Sequence, residues 1–205
     1  MEYYEKNELI RILEITERIE VIGNTKVRII VNNNTIKISN LLFERNRLLE
    51  EIILPDSVQE IGENAFEECE TLKSISFSSG LEIIKRQAFE GCKSLIEIEM
   101  PDLVQEIGES AFEDCISLRN VTLSKSLKTI GKYAFCCCEK LEKIEIPDSV
   151  QEIGNGAFSG CESLKRIYCT KEQREILENS CLPEDTEIII KEMDKGKKKA
   201  LTHQS

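Results

Sequence analysis

The sequence contains no tryptophan and a single histidine, His203. A Ser-His-Asp triad, a histidine general base or a histidine-liganded zinc site would have to use that one residue, which argues against these site types. Acidic residues are numerous, but they are spread over the whole chain, as on a solvated surface. The sequence therefore predicts a protein that is not an enzyme and that needs no cofactor.

Basic residues are also scarce, with 27 lysines and arginines against 38 acidic residues and a net charge of -11. Nucleic acids and anionic membranes require a basic surface, so neither is expected as the main partner. No apolar run approaches the length of a membrane span, and the first residues are polar without an apolar stretch behind them. These features predict no membrane insertion and a cytoplasmic location.

An Ala-Phe dipeptide recurs five times at intervals of 23 residues. Each phenylalanine is followed by a cysteine three residues later and by a leucine six residues later. A single mixed core needs no such period, whereas a stack of coils does, because each residue lies on its copy in the next coil. The dipeptides are Ala65-Phe66, Ala88-Phe89, Ala111-Phe112, Ala134-Phe135 and Ala157-Phe158.

Alignment on this dipeptide predicts one degenerate repeat followed by five clear ones. In the degenerate repeat, residues 32–54, Phe43 is retained, but Leu42 replaces the alanine and Asn46 replaces the cysteine. Three of the clear repeats begin with Pro-Asp and two begin with serine. The clear repeats are residues 55–77, 78–100, 101–123, 124–146 and 147–169.

Each repeat is predicted to contribute two short strands. Ile75 and Phe77 lie two residues apart and so share one face of a strand, while Val58 and Ile61 supply a second inward pair. Successive copies are expected to pair as parallel ladders. Gly62, which follows the second strand in the first clear repeat, is expected to need a positive φ in a tight turn.

The segments that flank the repeats are predicted to cap the stack. Residues 1–31 are expected to form an N-terminal cap, with a helix to about residue 17 followed by short strands. In residues 170–190, Thr170 and Gln173 have the spacing of a capping box, and Glu187 to Ile190 has the composition of a strand. This C-terminal helix and strand would cover the last coil. The lysine-rich segment 191–205 is predicted to be disordered.

The motif Val-x-x-Ile-Gly-x-x-Ala-Phe-x-x-Cys-x-x-Leu-x-x-Ile-x-Leu-Pro, at its 23-residue period, resembles the BspA-like branch of leucine-rich repeat proteins over about residues 32–190. The resemblance implies a leucine-rich repeat β-solenoid bent into an arc, with a parallel strand ladder on its concave side. It also implies a recognition protein, since family members are often surface or secreted proteins of mucosal microbes and some are adhesins.

From the resemblance we expect a non-catalytic protein-protein interaction module, monomeric, that binds a protein partner on its concave β face. A cell-surface adhesin is the alternative function, and the cell surface or the secreted fraction is the alternative location.

The repeat cysteines are predicted to form a column of buried free thiols. Parallel stacking places their Cβ atoms roughly 4.8 Å apart, beyond the usual disulfide range of about 3.5–4.5 Å. Cys136 and Cys137 precede the column residue Cys138, at positions where other repeats carry Glu, Asp, Ser or Gly. Both are therefore expected to face solvent, and a metal-binding or redox protein that uses this pair is a further alternative.

The outward positions of the longer strand are the main candidates for ligand binding. The inward residues repeat from coil to coil, whereas the outward ones vary, and Tyr and Arg among them are types enriched at binding hot spots. They change from acidic residues early in the chain to basic and aromatic residues later. The candidate residues are Glu51, Glu97, Glu99, Asn120, Lys143, Glu145, Arg166 and Tyr168.

Overall fold

The computed structural model describes residues 16–22, 26–178 and 181–191. The helix predicted over residues 1 to 17 falls mainly on residues 1–15, which lie outside the described part of the chain, as do residues 192–205 of the lysine-rich segment. The last two residues of that predicted helix are instead the first two of a strand, Thr16–Ile22.

The described chain winds into coils that build two parallel ladders of strands. Strand β1 (Thr16–Ile22) precedes them and pairs antiparallel with β2. The short ladder contains six two-residue strands: β3 (Lys37–Ile38), β5 (Glu60–Ile61), β7 (Ile83–Ile84), β9 (Glu106–Ile107), β11 (Thr129–Ile130) and β13 (Glu152–Ile153). The long ladder contains β2 (Lys26–Val31), β4 (Leu49–Ile53), β6 (Ser74–Ser76), β8 (Glu97–Glu99), β10 (Asn120–Thr122), β12 (Lys143–Glu145), β14 (Arg166–Cys169) and β15 (Glu187–Ile190).

Pairing in both ladders follows the repeat register. Glu51 lies beside Ser74 in the long ladder, and Glu60 lies beside Ile83 in the short one, so each partner is one repeat further along the chain. The hydrophobic period of two residues places alternate side chains inside, where the side chains of Ile61, Leu72 and Phe66 are fully buried. This arrangement confirms the predicted β-solenoid.

A column of stacked phenylalanine rings runs through the core from Phe43 to Phe158. Neighbouring ring centroids are 5.0 to 5.7 Å apart, and their planes differ by no more than 9°. The column includes Phe43, so the degenerate repeat is structurally a coil like the others. The repeat alanines lie fully buried next to these rings.

Glycine follows four of the six short-ladder strands, and none of these glycines adopts a positive φ, so the predicted reason for Gly62 is wrong. A Cβ added at Gly131 would lie 2.5 Å from the backbone N of Glu109, and one at Gly108 would lie 2.6 Å from that of Arg86. These glycines are needed because the backbone of the preceding coil passes too close for a side chain.

Positive φ occurs instead in two other columns, at spacings of 23 residues. Their φ values lie between 54° and 70°, and most of the residues are not glycine. The first column is Leu41, Asn64, Gln87, Ser110, Tyr133 and Gly156, and the second is Arg45, Glu68, Gly91, Asp114, Cys137 and Gly160.

The C-terminal segment packs a helix and a strand against the last coil. Helix α1 (Lys171–Glu178) begins with a capping box in which Thr170 N donates to Gln173 Oε1 (2.9 Å) and Gln173 N donates to Thr170 Oγ1 (3.3 Å). The Gln173 amide also donates to the carbonyls of Pro147 and Val150, which ties the helix to the final repeat. Strand β15 then extends the long ladder beside β14.

Candidate functional site

The five repeat cysteines form the predicted column of buried free thiols. Each Sγ donates to the carbonyl oxygen of the phenylalanine 26 residues earlier, over 2.9 Å for Cys69 to Phe43 and 3.0 Å for Cys161 to Phe135. Burial raises the pKa of the Cys69 thiol to about 12. The column therefore stabilises the backbone between coils and holds thiols too buried and too weakly acidic to react.

Cys136 is buried, contrary to the prediction that it faces solvent. It is 9% exposed, and burial raises its pKa to about 12. Cys137 is half-buried with a φ of 56°, and its Sγ lies 3.6 Å from that of Cys136. In the described residues, no cluster of three or more His, Cys, Asp or Glu side chains could hold a metal ion. The use of this pair in metal or redox chemistry stays a prediction without structural support.

We expect a thiol reagent to distinguish the exposed, half-buried and buried cysteines of the folded protein. At pH 8, Ellman's reagent should label the exposed Cys181 quickly and the half-buried Cys137 more slowly, because the raised pKa values and burial of the others leave almost no accessible thiolate. The remaining seven should react only after guanidinium unfolding. Cys181→Ser should abolish the fast phase, and labelling of more than two thiols in the folded state would contradict the assignment.

The eight candidate binding residues lie together on the outward face of the long ladder. All are exposed or half-buried. The register places Lys143 beside Arg166 and Glu145 beside Tyr168, which concentrates two cations and an aromatic ring near the C-terminal end. Glu97 lies beside Asn120 in the middle of the face.

The long ladder is interrupted at two gaps that the sequence analysis missed. Its strands pair in three blocks: β2 with β4 and β6, β8 with β10, and β12 with β14 and β15. In paired coils, Leu54 N donates to Ser76 O and Met100 N donates to Thr122 O. The equivalent bonds from Phe77 N across to β8 and from Leu123 N across to β12 are not made. The inward side chains at the gaps, Ile75 and Val121, are partly exposed.

Each gap opens into a groove on the long-ladder face. The first groove, about 800 Å³, has a mainly polar lining that includes the partly exposed apolar side chains of Ile75 and Phe77. The second groove, about 880 Å³, is lined by Val121, Leu123 and Ile144. Both grooves are open to solvent.

The two grooves share Asn120, Thr122 and Lys125 in their lining, but the net charges of their rims have opposite signs. The rim of the first contains four carboxylates and one ammonium group, from Asp56, Glu97, Glu99, Asp102 and Lys125. The rim of the second contains four cations and two carboxylates, from Arg119, Lys125, Lys143, Lys191, Glu145 and Asp148. Lys191 bridges the last two coils, 2.6 Å from Asp148 Oδ1.

A signal for the gaps is present in the sequence as an alternation of two kinds of repeat. Repeats that begin with Pro-Asp carry Val at their fourth position, whereas those that begin with serine carry Leu there. Each gap follows a strand that ends before a serine, Ser78 or Ser124, and both serines are buried. The alternation doubles the period to 46 residues.

The chain matches a family described as BspA type leucine-rich repeat region, in six copies over residues 5–115 and 82–191. No curated protein matches the chain significantly. It is similar to the structure of a leucine-rich repeat protein from Eubacterium ventriosum, with 28% identity, a TM-score of 0.59, and coverage of 64% of this chain and 36% of that one.

A leucine-rich cell surface protein from Faecalibacterium prausnitzii is 26% identical, with a TM-score of 0.50 over 74% of this chain and 52% of that one. The chain thus spans about half of one of these proteins and about a third of the other. In the part of the chain that the structure describes, no helix is long and apolar enough to cross a membrane.

Proposed function

The chain belongs to the family with BspA type leucine-rich repeat regions, and from this we propose that it is a non-catalytic protein-binding module whose long-ladder face receives a protein partner. Leucine-rich repeat regions generally mediate protein interactions. The observation that supports this face is the contrast between its two sides. The inward side repeats Ile, Leu, Phe and Cys, while the outward side presents varied residues beside two open grooves.

The C-terminal end of the face has the side chains expected of a binding hot spot. Tyr168 is half-buried in the wall of the second groove, and Arg166 is exposed on the same strand next to Lys143. A half-buried tyrosine loses little conformational entropy on binding, and arginine can form several hydrogen bonds at once.

We expect the double variant Arg166→Ala/Tyr168→Ala to weaken partner binding at least tenfold, about 1.4 kcal/mol. A partner captured from a lysate of the source cells would be identified and then titrated against the purified chain. The matched control is Lys128→Ala/Glu152→Ala, whose exposed side chains lie at the short ladder. Equal affinity of the wild type and the ladder-face variant would refute the proposed face, provided both variants keep the wild-type unfolding midpoint.

Display on the cell surface as an adhesin is the second candidate, favoured by the cell surface protein from Faecalibacterium prausnitzii at 26% identity. No comparison supports the cytoplasmic location expected from the sequence. Labelling of intact source cells with a membrane-impermeant amine reagent should modify the chain if it is displayed. Labelling only after lysis would favour the cytoplasm.

A further inference from the structure

The spacing of the two gaps in the long ladder restricts what can occupy both grooves at once. Two coils separate the gaps. The coil spacing, measured between ring centroids, is 5.1 Å from Phe89 to Phe112 and 5.3 Å from Phe112 to Phe135. A ligand that lies along the solenoid axis must therefore present two apolar groups about 10 Å apart on one side.

An α-helix meets this requirement with residues seven apart, which share a face and are separated by about 10.5 Å along the axis. An extended strand does not, because its side chains on one face recur at about 6.8 and 13.6 Å. A polyproline II helix repeats its face every three residues, at about 9.3 Å, so spacing alone does not separate it from the α-helix.

The charges of the two grooves favour the α-helix. Its aligned peptide dipoles place partial positive charge at the N-terminus and partial negative charge at the C-terminus. The first groove is rimmed mainly by carboxylates and the second mainly by cations. A helix with its N-terminus over the first groove therefore has favourable interactions at both ends. A polyproline II helix has no internal hydrogen bonds and lacks such charged ends.

We propose that the long-ladder face binds an amphipathic α-helix of the partner, aligned with the solenoid axis and with its N-terminus over the first groove. Two apolar side chains seven residues apart enter the two gaps. One contacts the partly exposed Ile75 and Phe77, and the other contacts the partly exposed Val121. Basic residues of the helix flank the first apolar side chain and acidic residues flank the second. This inference rests on the proposed function and specifies the partner's structure.

Synthetic peptides test the inference without knowledge of the natural partner. The probes are hydrocarbon-stapled helical 16-residue peptides of equal composition, with two leucines either seven or four residues apart, basic residues near the N-terminus and acidic residues near the C-terminus. Fluorescence anisotropy in low salt should give at least tenfold tighter binding for the seven-residue spacing. A peptide with the charges reversed should bind several-fold more weakly, and this difference should shrink in 0.5 M salt.

Ser76→Trp, which places a large side chain on the wall of the first groove, should abolish the preference for the seven-residue spacing. Glu106→Trp, at an exposed position of the short ladder, should leave it unchanged. The proposal of a helical partner would be overturned by any of three results. These are equal affinity for the two leucine spacings, no binding of either peptide, and tighter binding of a proline-rich peptide with leucines three residues apart. The proposed function has a separate test, since the captured partner could still lose affinity for the Arg166→Ala/Tyr168→Ala variant.

Discussion

Gly131→Ala is expected to lower the free energy of unfolding by about 3 kcal/mol or more. The added Cβ would lie 2.5 Å from Glu109 N and from Gly108 C, which belong to the backbone of the preceding coil. No flexible side chain can move aside, so the two coils must separate and weaken the hydrogen bond from Gly131 N to Ile107 O (2.8 Å). Urea unfolding followed by circular dichroism measures the loss.

Lys85 occupies the same column in the second clear repeat, so a side chain is accepted at this position in one coil of the stack. Its N donates to Ile61 O over 3.0 Å, whereas the glycines of the column make the equivalent bond at 2.8 Å. This hydrogen bond is longer at Lys85 than at the glycines, as expected when a side chain holds the two coils apart.

Gly91→Ala provides the matched control for Gly131→Ala. Gly91 has a φ of 69°, but its nearest neighbour would be 3.4 Å from the new Cβ. The left-handed backbone conformation is then the only unfavourable feature of the alanine variant, so the free energy of unfolding should fall by about 1 kcal/mol. If Gly91→Ala were the more destabilising of the two, contact between coils would not be the reason that glycine is needed at position 131.

The features predicted correctly from the sequence are those that repeat because the core requires them. The inward Ile, Leu and Phe, the cysteine column and the register of the ladders all follow from stacking each coil on a copy of itself. The C-terminal capping box was also predictable, since Thr170 and Gln173 interact within one helical turn.

The errors concern distances between coils, which a repeat pattern does not specify. Other repeats carry Glu90 and Glu113 at the position of Cys136, and these residue types predict a solvent-facing position. Both glutamates are nevertheless half-buried. Gln87 donates to Glu90 over 2.6 Å, so a polar residue there is satisfied within the turn. The gaps in the long ladder likewise depend on which coils separate, and only the alternation of proline and serine at the repeat starts indicates them.

Phe112→Ala is expected to destabilise the protein by about 3–5 kcal/mol. The ring of Phe112 is fully buried and stacks on Phe89 at 5.1 Å and on Phe135 at 5.3 Å. Its removal leaves a cavity in the middle of the column, and the short ladder, in which β9 pairs with both β7 and β11, prevents the coils from closing it. Phe112→Leu should recover part of the loss, because leucine fills much of the volume without the ring contacts.

Phe77→Ala is the control, since Phe77 is half-buried at the first gap and lies outside the stacked column, with its ring centroid 5.9 Å from that of Phe89 in a T-shaped arrangement. The free energy of unfolding should fall by less than it does for Phe112→Ala, by about 1–2 kcal/mol, because part of the Phe77 side chain is already exposed to water. Stability in a solenoid depends on contacts between neighbouring coils, so a defect at Phe112 should also separate the unfolding of the two halves. Two resolved urea transitions for Phe112→Ala, with one for Phe77→Ala, are expected. A single transition with a loss below 2 kcal/mol for Phe112→Ala would show that the ring column is not what couples the coils.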